Sequence, residues 1–270
     1  MTDEGSNALF FILGGIFMNS FIPWIGGKKL LRKHIVNKFP QNISRYVEVF
    51  GGAGWVLFYK EKIASQEVYN DINGELVNLF RCVKYHSNAI INELRFTPNA
   101  RELFNDFKQN RNRTDLTDIQ RAAMFYYLVR TSYGAKLEQY GANYRSPYLF
   151  LQDIEAISKR LSRVVIENKD FQYILQKYDK QGTLFYCDPP YYKTEKMYDM
   201  GGCSFGKKQH ILLRDMLKNI KGNFVLSYND DDFIRNLYDG FDIQGVERSN
   251  NLSLNDGKRG VYKELIISNC

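Results

Sequence analysis

The chain is poor in the residues that most often carry acid–base and metal chemistry. Its three histidines, His34, His86 and His210, lie far apart, and its four cysteines, Cys82, Cys187, Cys203 and Cys270, form no C-x-x-C pair. That scatter argues against a zinc site and against a disulfide framework, and it fits a reducing cytosol. Long hydrophobic runs are also missing. The most apolar stretch, ALFFILGGIF (8–17), has roughly half the length that a bilayer-spanning helix needs. It is not a secretory signal either, because Asp3 and Glu4 stand where a basic leader would be. Residues 1–18 are read as an N-terminal extension. Met18 is an alternative start, since the informative sequence begins directly after it. No internal repeat and no low-complexity tract interrupts the chain.

What is present is an ordinary globular composition: 270 residues, 44% hydrophobic and 25% charged. This is enough for one large domain, or for a core domain with a small insert. Tyrosine and phenylalanine stand out at 19 each; tyrosine suits wet, flat surfaces that stack on rings. The formal charge of +7 biases the chain mildly towards polyanions such as nucleic acid.

Apolar patterning predicts strands alternating with helices. RYVEVFGGAGWVLFYK (45–60) reads as strand, glycine turn and helix, and SQEVYNDINGELVNLFRCVKYH (65–86) as a strand ending near Asp71 and then a helix. Further strands are expected at 163–171, 182–188, 223–230, 240–249 and 263–269, with a helix over 208–222. Alternation of this kind implies an α/β domain with a mainly parallel sheet. Residues 87–150 break it. They are polar and basic, with a helical stretch at 118–133 and loop-like runs at 109–115 and 139–148. This block is the candidate insert, which leaves 19–86 and 151–270 as the core domain.

Three pieces carry chemistry. In VEVFGGAG (47–54) a β-branched strand runs into Gly51, Gly52 and Gly54. Glycines there allow a tight turn and a close backbone approach to a ligand, and a following helix N-terminus would favour polar or anionic groups. The spacing is not the dinucleotide fingerprint, since Leu57 stands where its last glycine would be. Asp71, at the end of the next strand, stands where nucleotide-binding α/β folds hydrogen-bond a ribose; the alternative is a helix N-cap. Finally, LFYCDPPYYK (184–193) ends an apolar strand in Asp188, Pro189, Pro190 and Tyr191. Two prolines stiffen the loop and leave its carbonyls without ladder partners. A carboxylate, bare carbonyls and a rigidly held ring suit a flat ligand with an exocyclic amino group, such as adenine or cytosine.

Together FIPWIGGKKLL (21–31), EVFGGAG (48–54), YNDIN (69–73) and YCDPPY (186–191) resemble the Dam-type family of S-adenosylmethionine-dependent DNA adenine-N6 methyltransferases. NKDF (168–171) and LSYND (226–230) fit the same pattern, and the order is that of the family's α group. The resemblance runs over about residues 20–269. It implies a Rossmann-like methyltransferase sheet with helices on both faces, and a mainly helical target-recognition module at 87–150. It also implies S-adenosyl-L-methionine as cofactor, with Trp24, Gly27 and Lys28 at its methionine end and Phe50, Gly51, Gly52 and Gly54 lining it. Asp71 would hold the ribose, Asp170 and Phe171 the cofactor's adenine, and Asp188 would border both cofactor and base. The target base would be gripped by Asp188, Pro189, Pro190 and Tyr191.

The implied substrate is double-stranded DNA, held by basic residues such as Lys29, Arg111, Arg113, Arg130, Lys136 and Arg145. No metal and no membrane enter this reading. A monomer or weak dimer in a bacterial or phage-infected cytoplasm is expected, and 191–209 is expected to form a glycine-bearing flap. One departure is RTSYGAK (130–136), which stands where relatives carry an Asn-rich Tyr-Gly segment, so the target sequence stays open. RNA adenine, cytosine-N4, a glutamine side chain and a catalytically silent binding protein are the competing substrates and roles. Asp188 in place of an asparagine speaks against glutamine, and the intact Asp188–Tyr191 motif speaks against a silent protein.

Overall fold

The structure, a computed structural model, describes residues 10–12, 15–141, 148, 151, 154–195, 204–249 and 261–270. Strands β1 (Phe10–Ile12) and β2 (Gly15–Phe17) form a short antiparallel pair. There follow α1 (Arg32–Asn37), β3 (Arg45–Glu48), β4 (Gln66–Asn70), α2 (Gly74–Arg95), α3 (Arg101–Gln109) and α4 (Asp118–Thr131). Next come α5 (Ile154–Leu161), β5 (Val164–Glu167), α6 (Phe171–Tyr178) and β6 (Thr183–Cys187). The chain continues through α7 (Lys207–Lys218), β7 (Asn223–Asn229), α8 (Asp232–Leu237), β8 (Asp242–Ser249) and β9 (Val261–Ser268). Arg145 and residues 196–203 of the expected flap lie outside the described residues.

Two compact units share this chain. The first takes the residues up to Lys29, Gly52–Lys62 and Asn73–Asn168. It is held by α2 packed on α4. Helix α2 buries Leu76, Leu79, Phe80 and Val83, the i, i+3, i+4, i+7 stripe of an amphipathic helix. Helix α4 is buried along Ala122–Val129 on nearly every face, so it runs through the core. Both start at side-chain caps: Asn73 accepts from the Leu76 N–H (3.0 Å), and Thr117 and Gln120 form a capping box.

The helix expected after the glycine turn does not form; the segment holds only a single 3₁₀ turn, Leu57–Tyr59. Val56, Leu57 and Phe58 are all fully buried, a run no one-faced helix can satisfy. The carbonyls of Leu57 and Lys60 are taken instead by the buried Arg160 guanidinium (2.8 and 3.0 Å). The glycine turn therefore offers a ligand close backbone approach but not the N-terminus of an α-helix.

The second unit takes Leu30–Gly51, Ile63–Ile72 and Lys169–Cys270. Its six strands lie in the order β4-β3-β6-β7-β9-β8. The first four are mutually parallel, as the α/β alternation predicts, while β9 runs antiparallel to both β7 and β8. The sheet is thus mainly parallel, as expected, with β9 the one reversed strand among these six. Direct strand-to-strand return permits antiparallel pairing, whereas parallel neighbours need a crossover. Val47, Val68, Phe185, Phe224, Leu226, Leu265 and Ile267 form the core of the unit with Ile174, Leu213 and Tyr238.

Candidate active site

Parallel pairing lines up the carboxyl ends of three strands. Glu48 pairs with Tyr69 on one side and with Tyr186 on the other. Two residues further along, each chain reaches Phe50, Asp71 and Asp188. The ladder still holds at that point, because the Val49 N–H donates to Tyr186 O (2.9 Å) and the Gly51 N–H to Asn70 O (2.7 Å). An aromatic ring and two carboxylates thus meet at the edge where open α/β sheets bind ligands.

Gly51 is required by close packing. A Cβ there would stand 2.2 Å from Cε2 of the fully buried Tyr69. Asp71 does not cap α2; Asn73 does. That removes the structural alternative for Asp71 and leaves it as a strand-end acid.

Asn70 ties the next piece in place. Its Nδ2 donates to Val49 O (2.8 Å) and Lys169 O (3.0 Å), and its Oδ1 accepts from the Lys169 N–H (2.9 Å). The turn before α6 is thereby fastened to the end of β3. Asp170 follows as the N-cap of α6, accepting from the Gln172 N–H (2.8 Å), and is exposed. Phe171 is buried, with its ring 5.8 Å from Phe50 and 5.7 Å from Phe205.

The Asp188–Tyr191 loop leaves β6 with Pro189 and Pro190 buried and with Asp188 and Tyr191 partly exposed. Each acidic or phenolic end has a partner on another strand of the sheet, Asp188 on β7 and Tyr191 on β9. Ser227 on β7 donates to Asp188 Oδ1 (2.7 Å), and the Tyr186 hydroxyl lies 3.0 Å from Ser227 Oγ. A serine has one proton and here gives it to a carboxylate, so Tyr186 must donate to the serine. Burial, and then the Asp188 charge, push the Tyr186 phenol well above its ordinary pKa, which keeps it a donor.

At the other end of the loop the Tyr191 hydroxyl donates to Glu264 Oε2 on β9 (2.5 Å). The Tyr191 ring lies 6.1 Å from that of Tyr228, whose hydroxyl is 2.5 Å from His210 Nδ1. His210 is fully buried and meets Glu195 Oε1 through Nε2 (3.1 Å). Burial lowers the His210 pKa, against a smaller opposing pull from Glu195.

The remaining expected site residues belong to the first unit. Gly27 N–H donates to Trp24 O (3.1 Å), and a Cβ on Gly52, which has φ +49°, would press on the Trp24 ring at 3.0 Å. Lys28 is buried, with Nζ 2.6 Å from Gly26 O. Gly54, with φ +68°, packs against Phe58. Among the expected DNA contacts, Lys29 and Lys136 are exposed, and Arg111 sits over the Phe125 ring (5.7 Å). Arg113 pairs with Asp115 (2.5 Å), and the Arg130 guanidinium turns in to the Phe21 carbonyl and over Tyr126. Tyr133 is 68% exposed beside left-handed residues Gly134 and Ala135.

Sequence reasoning passed over Asn70, Ser227, Glu264 and His210. Ser227 was detectable in principle, as the polar residue within the buried stretch Phe224–Tyr228, whereas Glu264, next to Lys263, gave no such signal.

The sheet, with Phe50, Asp71 and Asp188 at the carboxyl ends of its parallel strands, is that of an α/β enzyme of the Rossmann-like methyltransferase class. Residues 24–252 match the family model of D12 class N6 adenine-specific DNA methyltransferases, and the chain belongs to that family. It is 28% identical over 253 residues to the type II methyltransferase M.CviBI of Paramecium bursaria Chlorella virus NC1A, covering 90% of this chain and 95% of that protein. It is 29% identical over 266 residues to the DNA adenine methylase of Haemophilus influenzae, covering 91% and 92%. It is also 29% identical over 285 residues to M.MjaIII of Methanocaldococcus jannaschii, covering 92% and 98%. The chain is a DNA adenine N6-methyltransferase that uses S-adenosylmethionine. Among the described residues no helix is long and apolar enough to cross a membrane.

Proposed function

We propose that the chain methylates N6 of an adenine flipped out of double-stranded DNA at a specific site, with the Asp188–Tyr191 loop gripping the base. The observation that carries this reading is the alignment of Phe50, Asp71 and Asp188 at one sheet edge, with Asp188 hydrogen-bonded from Ser227. The same edge fits the nucleoside half of S-adenosylmethionine: Asp71 for the ribose hydroxyls, Phe50, Asp170 and Phe171 for the adenine, Gly51 for close backbone approach. Trp24, Gly27, Lys28, Gly52 and Gly54 are assigned to the rest of the cofactor. When bound, that group supplies a methyl already activated on a sulfonium, so the protein needs placement more than a strong base.

The residues divide the work. A duplex buries the amino group of adenine, and extrusion costs a few kcal/mol that pocket contacts must offset. Tyr191 stacks on the extruded base, an interaction worth about 1–3 kcal/mol. The Asp188 carboxylate and the Pro189 carbonyl accept the two amino hydrogens, which draws the nitrogen lone pair out of conjugation. Pro189 and Pro190 hold these acceptors rigid, and Ser227 fixes the carboxylate.

The helical block 87–150 is the target-recognition module of this reading. Lys29, Arg111 and Lys136 offer basic charge to the phosphates, so binding falls steeply with salt. Arg113 is paired with Asp115, and Arg130 turns inward and is dropped from that set. A monomer or weak dimer acts in the bacterial or phage-infected cytoplasm, where cofactor and DNA meet.

The test is nucleoside mass spectrometry on DNA from a methylation-deficient host that expresses the chain. Wild type yields N6-methyladenine. Asp188→Ala abolishes it while S-adenosylmethionine binding survives in calorimetry. Equal loss of binding and turnover would contradict this assignment of Asp188.

A further inference from the structure

Glu264 is a buried carboxylate that the mechanism above does not use. It is 3% exposed, in the interior strand β9, opposite Asn229 of β7. A carboxylate in that position is costly unless its charge is met by good hydrogen bonds. One of these is the 2.5 Å bond from the Tyr191 hydroxyl, 73 residues away in sequence. The bond runs one way. Burial, and then the Asp188 and Glu264 charges, raise the Tyr191 pKa well above the ordinary phenol value, so the ring stays a donor. Bonds from a neutral donor to an ionised acceptor are the short, strong ones.

From this geometry we infer that Glu264 is a positioning residue for the methyl-transfer reaction, setting the plane of the Tyr191 ring before the base arrives. The inference rests on the reading of Asp188–Tyr191 as the base-gripping loop. Tyr191 is restrained at both ends. Its backbone follows two buried prolines whose φ angles are fixed by their rings. Its hydroxyl tip is held by Glu264, which is anchored in the sheet by β9 pairing on both sides. The Tyr228 ring, 6.1 Å away and tilted 34°, packs beside it. A phenol held at backbone and tip has little torsional freedom left, so stacking on the extruded adenine orders no further group. Preorganisation of this kind acts on the reacting complex more than on the stability of the fold.

The experiment is a double-mutant cycle on the full chain, using Glu264→Leu, Glu264→Gln, Tyr191→Phe and Tyr191→Phe/Glu264→Leu. Asp188→Ala serves as the control on the loop itself. The substrate is a duplex carrying the target sequence, which modification-sensitive sequencing identifies, with 2-aminopurine at the methylated position in a parallel sample. Glu264→Leu and Tyr191→Phe each lower kcat by about tenfold, the loss of one hydrogen bond to a charged group. The double variant falls no further than either single one. The 2-aminopurine signal on DNA binding shrinks in the same variants, while cofactor affinity is unchanged. Glu264→Gln, which keeps an acceptor oxygen, recovers most of the rate.

Independent, multiplying effects in the cycle would overturn the inference. So would a Glu264→Leu variant that lowers Tm and leaves both kcat and the 2-aminopurine signal at wild-type values. If Glu264→Leu fails to fold, Tyr191→Phe carries the test alone, and wild-type kcat with a wild-type 2-aminopurine signal in that variant refutes the idea. If Asp188→Ala keeps methylating, the loop reading itself is wrong. If that variant is dead and the cycle is additive, the fault lies with Glu264 alone.

Discussion

Tyrosine is used in two opposite ways in the two units. Along the sheet edge Tyr186, Tyr191 and Tyr228 are hydroxyl-bonded to Ser227, Glu264 and His210, all three of them buried. In the helical unit Tyr126 and Tyr127 are fully buried on α4, and the Tyr127 hydroxyl is bonded to main-chain carbonyls, Pro98 O and Ala100 O, rather than to side chains. In the same unit Phe21, Phe58 and Phe80 pack ring against ring at 5.1–6.2 Å. At these positions the sheet unit holds its tyrosines by buried side-chain pairs that fix direction, and the helical unit by ring packing and main-chain bonds. Single-atom changes should therefore damage chemistry in the first and leave it mostly intact in the second, where loss of volume damages stability.

The largest effect that would sharpen this contrast is in the helical unit. Phe80→Ala empties a fully buried site between Phe21 and Phe58 and should cost about 3–5 kcal/mol of stability, read by denaturant or thermal unfolding. The residual folded fraction should still methylate at a near-normal rate; a turnover defect as large as the stability defect would break the comparison.

Next is Ser227→Ala at the sheet edge. It removes one oxygen and with it a charge-assisted bond worth roughly 1.5–3 kcal/mol, so kcat should fall about 10–100-fold with little change in Tm. A drop in Tm at unaltered kcat would make Ser227 a packing residue like those of α4.

The smallest effect is on pH dependence. The folded pKa of His210 lies below the ordinary value of 6.5, so the unfolded chain binds the proton more tightly. The stability from this residue is fully present above about pH 6.5 and is lost as pH falls towards the folded pKa. Thermal scans from pH 8 to pH 5.5 should show wild type losing stability faster than His210→Gln. Parallel curves would show that the buried imidazole, with Glu195 and Tyr228 around it, sets no pH response.

Much of the sheet was legible because its strands end in marks: Gly51 after β3, Asp71 after β4 and Asp188 after β6. Apolar runs with clear stops survive translation into structure. The glycine turn was legible too, but the segment beyond it was not. Val56–Phe58 looked like the start of a helix, and only the position of Arg160, about a hundred residues on, shows why its carbonyls turn elsewhere. Helix α2 likewise begins at Asn73, one of several polar residues in YNDIN that could have capped it. The partners of the Asp188–Tyr191 loop were hidden for a different reason. Ser227 and Glu264 are 39 and 73 residues from Asp188 and Tyr191, and only strand register brings them together. A local pattern shows that a polar residue interrupts an apolar strand, but not which neighbour it faces.

The strand that carries Glu264 is inserted between two strands made before it, since β9 separates β7 from β8. On a ribosome, β8 emerges with its sheet neighbour β9 still unmade, and Tyr191 emerges long before the carboxylate that holds its ring. Closure of the sheet is a late, long-range event of the slow kind. A nascent chain can therefore display the whole Asp-Pro-Pro-Tyr loop while lacking its brace. Under the positioning role inferred for Glu264, a chain that has not yet made β9 would lack the brace worth about a tenfold rate, and would mark DNA correspondingly more slowly.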